Sequence, residues 1–512
     1  MENPTIRNIA GIDLGTTNTV ISVFVGSSFQ PVTFDGGHYL CPSVVSLGND
    51  IKVGDAAKVN LIRDRYCVRN VKRLIGKKMS DPGVMDICKT CNATVNTGDD
   101  GNPFFEGRDG AKYSCSEVSS KIVKFIVDRA SMISGNPITH VVITFPAHFN
   151  EIQKRQTIEA AELAGVTVLG IVNEPTAAAI GYSCTTNMKD GYYMVYDMGG
   201  GTFDVSIVHY KEGQFKVVAT GGDMQLGGED FDSCIADYLR EKYQEKYGSD
   251  PLSANSEATR IRRRSSLLSL AENVKKSLVG MTAIDVEFSS VVGLLMDGTR
   301  EIPLTRVIAQ ALLDQRIKDS MRIVDETLER AGITVDDIEK VLLVGGSSRL
   351  FCLNDVLKQK FHRSGMISEQ LSHDTCVATG AAMYGRKLIE KSQCPYHFRV
   401  FDCTSSGYGL SMMDGSFYCL IPAGSILPMS VEKNFILSNE KDDYFATAVF
   451  EGDGPSLTNC VKIQQIDFPI NPVERAGRSM CVVFQVTETG VLSIQCHYAG
   501  SSKVLFSVVV SC

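Results

Sequence analysis

Gly11-Ile12-Asp13-Leu14-Gly15-Thr16-Thr17, near the amino terminus, and Val195-Tyr196-Asp197-Met198-Gly199-Gly200-Gly201-Thr202-Phe203-Asp204, in the middle of the chain, carry one design twice. In each, an apolar run that reads as a buried strand reaches an Asp, turns on glycine, and resumes with Thr and β-branched or aromatic residues, the pattern of a hairpin. Such a turn can cradle a phosphate. Glycine lets backbone N–H groups approach an anion closely, Thr hydroxyls add donors, and an Asp at the strand end can hold a hydrated cation. The repetition predicts a duplicated lobe. A third run, Val341-Leu342-Leu343-Val344-Gly345-Gly346-Ser347-Ser348-Arg349, again delivers a glycine turn from the end of an apolar strand. One glycine-rich hairpin is most often only a turn; three converging strand ends argue for a nucleotide between two lobes.

With 512 residues, 44% hydrophobic and 21% charged, the chain has ordinary globular composition and length for about three domains. Its formal charge of -8 argues against direct nucleic-acid binding, which draws affinity from Lys and Arg. Met1-Glu2-Asn3-Pro4 has no basic region followed by an apolar core, and no apolar run reaches the ~18 residues of a membrane span. The expectation is a cytoplasmic protein without a membrane span. Sixteen cysteines without dense spacing read as reduced, mostly buried thiols. Cys88-Lys89-Thr90-Cys91 has the spacing of a zinc or redox pair but no second pair near it.

From Ile6 to about Lys391, strand-like runs alternate with helical patterns, which means α/β. Val141 to Phe145 reads as a strand, Asn150 to Ala164 as a helix capped by Asn150 and closed by Gly165, and Val166 to Val172 as the next strand. Asn173-Glu174-Pro175-Thr176 then opens a helix, placing Glu174 where functional sites of α/β sheets gather. Between Leu226 and Ser277 the pattern is helical and charged. Its run Arg260-Ile261-Arg262-Arg263-Arg264 reads first as a solvated face, and Glu272 and Lys275 share a face where they meet a nucleoside or each other. Beyond Cys394-Pro395, short strands such as Ala446 to Glu451 and Gly490 to Ile494, punctuated by Gly, Asp, Asn and Pro, read as an all-β unit.

The motifs Ile12 to Asn18, Gly54 to Lys58, Lys72 to Gly76, Asn173 to Ala179, Asp197 to Ser206, Leu226 to Asp232, Val344 to Arg349 and Ala378 to Ala382 together resemble the seventy-kilodalton heat-shock chaperone family. The resemblance covers about three quarters of the chain. It implies an α/β, actin-like, two-lobed ATPase domain over residues 1–392, a linker over 393–402, and a smaller all-β sandwich domain over 403–512, which is expected here without the helical lid of the family. It implies binding and hydrolysis of ATP to ADP with Mg2+, and engagement of unfolded or partner polypeptides, co-chaperones and nucleotide-exchange factors. Lys72, Glu174, Thr202 and Asp204 would be catalytic, and Asp13 and Asp197 would hold the magnesium through water. Gly15, Thr16, Thr17, Asn18, Gly199, Gly200, Gly201, Gly227, Gly228 and Glu229 would cradle phosphates. Glu272, Lys275, Lys276, Val279, Gly345, Gly346, Ser347, Ser348, Arg349 and Asp374 would surround adenosine. Phosphoryl transfer needs positioned charge more than covalent chemistry, so such a set suffices.

Several positions depart from the family pattern. Lys276 and Val279 replace a stacking Arg and a Ser hydroxyl, which predicts weaker adenosine affinity. His148 and Lys154 replace a Tyr and an Arg beside Pro146, in the region that relays nucleotide state. The linker reads His397-Phe398-Arg399-Val400-Phe401-Asp402, with a charge inside an otherwise apolar strand, predicting altered coupling. The divergent carboxyl end also resembles the heat-shock homologues of filamentous plant viruses, whose roles lie in virion assembly or cell-to-cell movement.

Overall fold

The computed structural model describes residues 4–61, 64–293, 298–368, 371–396, 398–401, 404, 406–436, 444–452, 454–470, 479–487 and 491–510. His397, Asp402 and Gly490 lie outside them.

The first hairpin forms as its glycines require: Ile9–Leu14 pairs antiparallel with Asn18–Val25 around the Gly15–Thr17 turn. On its other side Ile9–Leu14 pairs parallel with His140–Phe145, and that strand with Thr167–Asn173. The second hairpin repeats the plan. Gly191–Met198 pairs antiparallel with Phe203–Lys211 and parallel with Ile338–Val344. Both central strands are almost entirely apolar because sheets crossed by parallel connections are covered on both faces. Between the sheets pack Glu174–Ser183 and Cys376–Glu390, helices dense in Ala and Gly. Helix Glu151–Leu163 starts at the expected cap: Asn150 Oδ1 accepts from the Gln153 N–H at 2.9 Å, and Gly165 follows with φ 87.

Every described cysteine is a free thiol. Cys91 is buried and its thiol is pushed up to about 12, mainly by desolvation, which fits a structural hydrophobe rather than a ligand. The arginine run lies on helix Glu257–Ser277, where Arg260 pairs with Glu257 beside an open hollow of about 810 Å³.

Arg399–Phe401 pairs parallel with Gln214–Lys216 as the edge strand of the second sheet. Phe398 is buried, with its ring 6.0 Å from that of Phe215, while Arg399 is exposed. The charge that looked out of place in the linker therefore faces solvent, where an edge strand tolerates it.

The carboxyl-terminal region holds two four-stranded antiparallel sheets, built around Gly407–Ser411 with Tyr444–Gly452 and around Met480–Val486 with Leu492–Tyr498. Both contribute to one core that includes Tyr408, Val449, Phe484 and Ile494. This region meets the first sheet's helix through buried polar groups. The Glu151 N–H donates to Glu451 Oε2 at 2.9 Å, Tyr408 Oη donates to Glu151 Oε1 at 2.8 Å, and Lys154 Nζ pairs with the same oxygen at 2.8 Å. Tyr408→Phe removes a donor from a buried carboxylate, and we expect a loss of about 1–3 kcal/mol, read as a lower urea midpoint.

Candidate active site

Four segments of chain press their glycines together. A Cβ on Gly200 would overlap Thr17 Oγ1 from the first hairpin, and one on Gly228 would overlap Ser347 Oγ from the third turn. A Cβ on Gly227 would stand 2.7 Å from the Gly201 backbone, and one on Gly345, which already needs φ 78, would stand 2.6 Å from Asp197 Oδ1. A side chain at any of these positions would force its neighbours to shift. Backbone bonds fix the arrangement: the Gly228 N–H donates to Gly199 O at 3.0 Å and the Glu229 N–H to Gly200 O at 2.7 Å. Thr17 Oγ1 is buried and has no hydrogen-bond partner among the described residues, a donor directed into the cradle.

Charged groups line the same cleft. Lys72, on the 3-10 turn Val71–Leu74, places Nζ 2.8 Å from Glu174 Oε1, and their side chains are only 7% and 11% exposed. Glu174 begins helix Glu174–Ser183, where the helix dipole favours a carboxylate. Asp13 and Asp197 occupy matching places at the ends of the two central strands. Desolvation, then the neighbouring charge of Glu174, pushes the Asp13 carboxyl up to about 7. The same causes, joined by Asp204 and Asp13, hold Asp197 well above the usual carboxylate range. Crowded carboxylates with raised affinity for a proton also suit a divalent cation. Among the described residues no group of three or more His, Cys, Asp or Glu has metal-ligand placement. A cation here would take its remaining ligands from water and phosphate oxygens, as hard Mg2+ does.

Asp204 lies directly across the hairpin from Asp197, and its Oδ1 is 2.7 Å from His148 Nδ1. Thr202 closes the turn between them, its carbonyl accepting from the Gly199 N–H at 3.0 Å. Thr16 sits in the first turn, and Asn18 starts the returning strand opposite Pro42.

Other expected residues have partners of their own. Glu229 pairs with Arg69 at 2.7 Å and accepts from Asn70 at 3.2 Å. Glu272 and Lys275 do not pair with each other. Glu272 binds Lys276 at 2.6 Å, one helical turn on, while Lys275 reaches Asp232 at 2.7 Å and the Gly228 carbonyl at 2.8 Å. Burial pushes the Asp232 carboxyl up to about 6 against the pull of Lys275. Ser348 donates to Gly345 O at 2.6 Å within the loop. Arg349 pairs with Asp374 at 2.8 Å, and a Cβ on Gly346 would stand 3.5 Å from Asp374 Oδ1, so these three share one wall. Val279 is exposed and borders, with Arg349, Arg306 and Phe351, a hollow of about 350 Å³.

Sequence reasoning missed Arg73, Asn70 and Asp232 as members of the site. Arg73 is buried and donates to the Gly201 carbonyl, tying the Lys72 turn to the second glycine loop. Its adjacency to Lys72 is the available signal; Asp232 ends the Leu226 to Asp232 motif, but its partner Lys275 lies on another helix.

The Hsp70 protein family profile matches residues 9–508. The chain is 32% identical over 497 residues to the "Chaperone protein HscA homolog" of Colwellia psychrerythraea, covering 95% of this chain and 76% of that one. It is 30% identical over 498 residues to the protein of the same name from Pseudomonas fluorescens, covering 97% and 76%. The similarity thus extends through the glycine cradle, the buried charges and the paired carboxyl-terminal sheets alike, and the chain belongs to the Hsp70 protein family.

Proposed function

We propose that this protein is a chaperone that binds and hydrolyses ATP between two lobes of residues 1–392 and engages unfolded or partner polypeptide through a β-sandwich over 403–512, with 393–402 as the linker. The observation that carries this reading is the meeting of glycine turns from four segments around Asp13, Asp197 and the Lys72–Glu174 pair. Close-packed glycines leave backbone N–H groups and the Thr17 hydroxyl as the surface offered to a polyphosphate.

Lys72 is suited to oppose the γ-phosphate charge, and Glu174, Thr202 and Asp204 to orient the attacking water. Magnesium, held through water by Asp13 and Asp197, would neutralise charge on the β- and γ-phosphates. Gly346, Ser347, Arg349 and Asp374 form the wall suited to adenosine; Lys276 and Val279 are exposed, Val279 bordering the same hollow as Arg349, and are the further residues this reading places near adenosine. Among the described residues no helix is long and apolar enough to cross a membrane; a cytoplasmic place of work is part of this proposal. Co-chaperones and nucleotide-exchange factors are partners this reading adds.

The test is single-turnover hydrolysis with and without an extended apolar peptide. We expect Mg2+-dependent turnover that the peptide accelerates. Absence of turnover overturns the enzyme reading; turnover indifferent to every apolar peptide points to one dedicated partner instead of general chaperoning.

A further inference from the structure

The segment between strand His140–Phe145 and helix Glu151–Leu163 carries His148 into the cleft. Its Nδ1 lies 2.7 Å from Asp204 Oδ1, while its Nε2 is buried and has no hydrogen-bond partner among the described residues. A histidine kept for packing has both ring nitrogens satisfied or in water. The ionisable groups facing it are Asp204 from strand Phe203–Lys211, Glu174 from helix Glu174–Ser183 and Lys72 from the Val71–Leu74 turn; the Phe149 ring stands edge-on at 5.8 Å. With Asp204 accepting from Nδ1–H, the neutral ring presents a lone pair at Nε2.

We propose that His148 is the proton acceptor of the hydrolysis site, with Asp204 holding its imidazole in the required tautomer; this rests on the ATP-hydrolysis reading above. Glu174 is paired with Lys72, and in this reading Asp204 orients the attacking water through the ring of His148. In the step, one O–H bond of the attacking water breaks and its proton moves to Nε2. The water oxygen forms a bond to the γ-phosphorus, and the bond from that phosphorus to the β–γ bridging oxygen breaks, its electron pair leaving on ADP. The imidazolium, paired with Asp204, then returns its proton to solvent. Desolvation opposes protonation of His148, but the charge and hydrogen bond of Asp204 outweigh it and hold the ring above its ordinary value, making it a stronger base.

Single-turnover hydrolysis of the full chain is followed against pH for wild type and His148→Gln, with ATP binding and thermal melting measured alongside. Comparing the two profiles removes the titration of ATP itself. We expect wild type to lose rate as pH falls through the imidazole range, and His148→Gln to be about a hundred-fold slower at neutral pH, without that limb and with ATP affinity retained. His148→Tyr serves in its place if the glutamine variant does not fold. A variant that keeps the wild-type rate and limb overturns the inference, as does a rate that rises when the ring protonates. If wild type shows no ATP turnover, the hydrolysis reading itself falls; if turnover depends on Lys72 but ignores His148, only this inference does.

Discussion

Lys72→Ala is expected to slow single-turnover ATP hydrolysis by about a hundred- to a thousand-fold, or roughly 3–4 kcal/mol of barrier, while nucleotide affinity falls far less. The split follows from the proposed site. The glycine turns and the wall formed by Gly346, Arg349 and Asp374 do not involve Lys72, so under this proposal they would still hold the nucleotide. What would disappear is a fixed positive charge where a transferring phosphoryl group gathers negative charge. A second consequence separates this variant from a surface lysine change. Glu174, 11% exposed in its side chain, loses the cation 2.8 Å away, and removing one member of a buried pair costs about 3–5 kcal/mol when the survivor stays ionised. The variant is therefore expected to melt at a lower temperature than wild type as well as to hydrolyse ATP more slowly. An unchanged melting temperature together with unchanged hydrolysis would remove Lys72 from the site.

The parts of the site legible in the sequence are those whose demands are local. Glycine turns announce themselves because only glycine fits where backbones touch, and Asp13 and Asp197 could be placed at strand ends because apolar runs led directly to them. Glu174 was placed for the same reason, at a junction of strand and helix. Pairings across elements were not legible. Glu272 and Lys275 share a helix face, yet Lys276 lies at the better i,i+4 distance and Asp232 comes from the neighbouring helix, so each found a different partner. Arg73 and Asn70 needed the tertiary approach of the second glycine loop and of Glu229 to show their use. The carboxyl-terminal strands were readable from their punctuation, but their division into two sheets facing one core depends on long-range register.

The two replacements beside Pro146 illustrate the same limit. As letters, His148 and Lys154 depart from the family pattern in the region that relays nucleotide state. In the fold each has a carboxylate partner, Asp204 for His148 and Glu151 for Lys154, and Glu151 in turn accepts from Tyr408 of the carboxyl-terminal region. One short segment thus touches the cleft at one end and the β-strand region at the other.

Gly380→Ala is expected to destabilise the protein by about 1–3 kcal/mol, against the gain of about 1 kcal/mol that helix propensity alone would give this change in a helix interior. Gly380 lies in helix Cys376–Glu390 where it crosses Glu174–Ser183, and a Cβ there would overlap the Ala177 carbonyl oxygen and stand 2.7 Å from its carbon. That obstacle is backbone, not the movable end of a side chain, so the two helices must separate. Separation is costly here because both are packed through Ala177, Ala178, Ala381 and Ala382, all 0% exposed. The disturbance also travels toward the chemistry. Gly11 presses on the opposite side of the same helix, where a Cβ would overlap Ala378 O and Ala382 N, and Gly11 shares a strand with Asp13. A shifted Cys376–Glu390 helix therefore moves the strand that positions Asp13, and Glu174 moves with its own helix. We expect a melting temperature lowered by several degrees and a weaker stabilisation by Mg·ADP than in wild type, both read in one thermal-shift titration. A variant as stable as wild type, with the full shift on adding Mg·ADP, would mean that the helices yield without moving the strands they support.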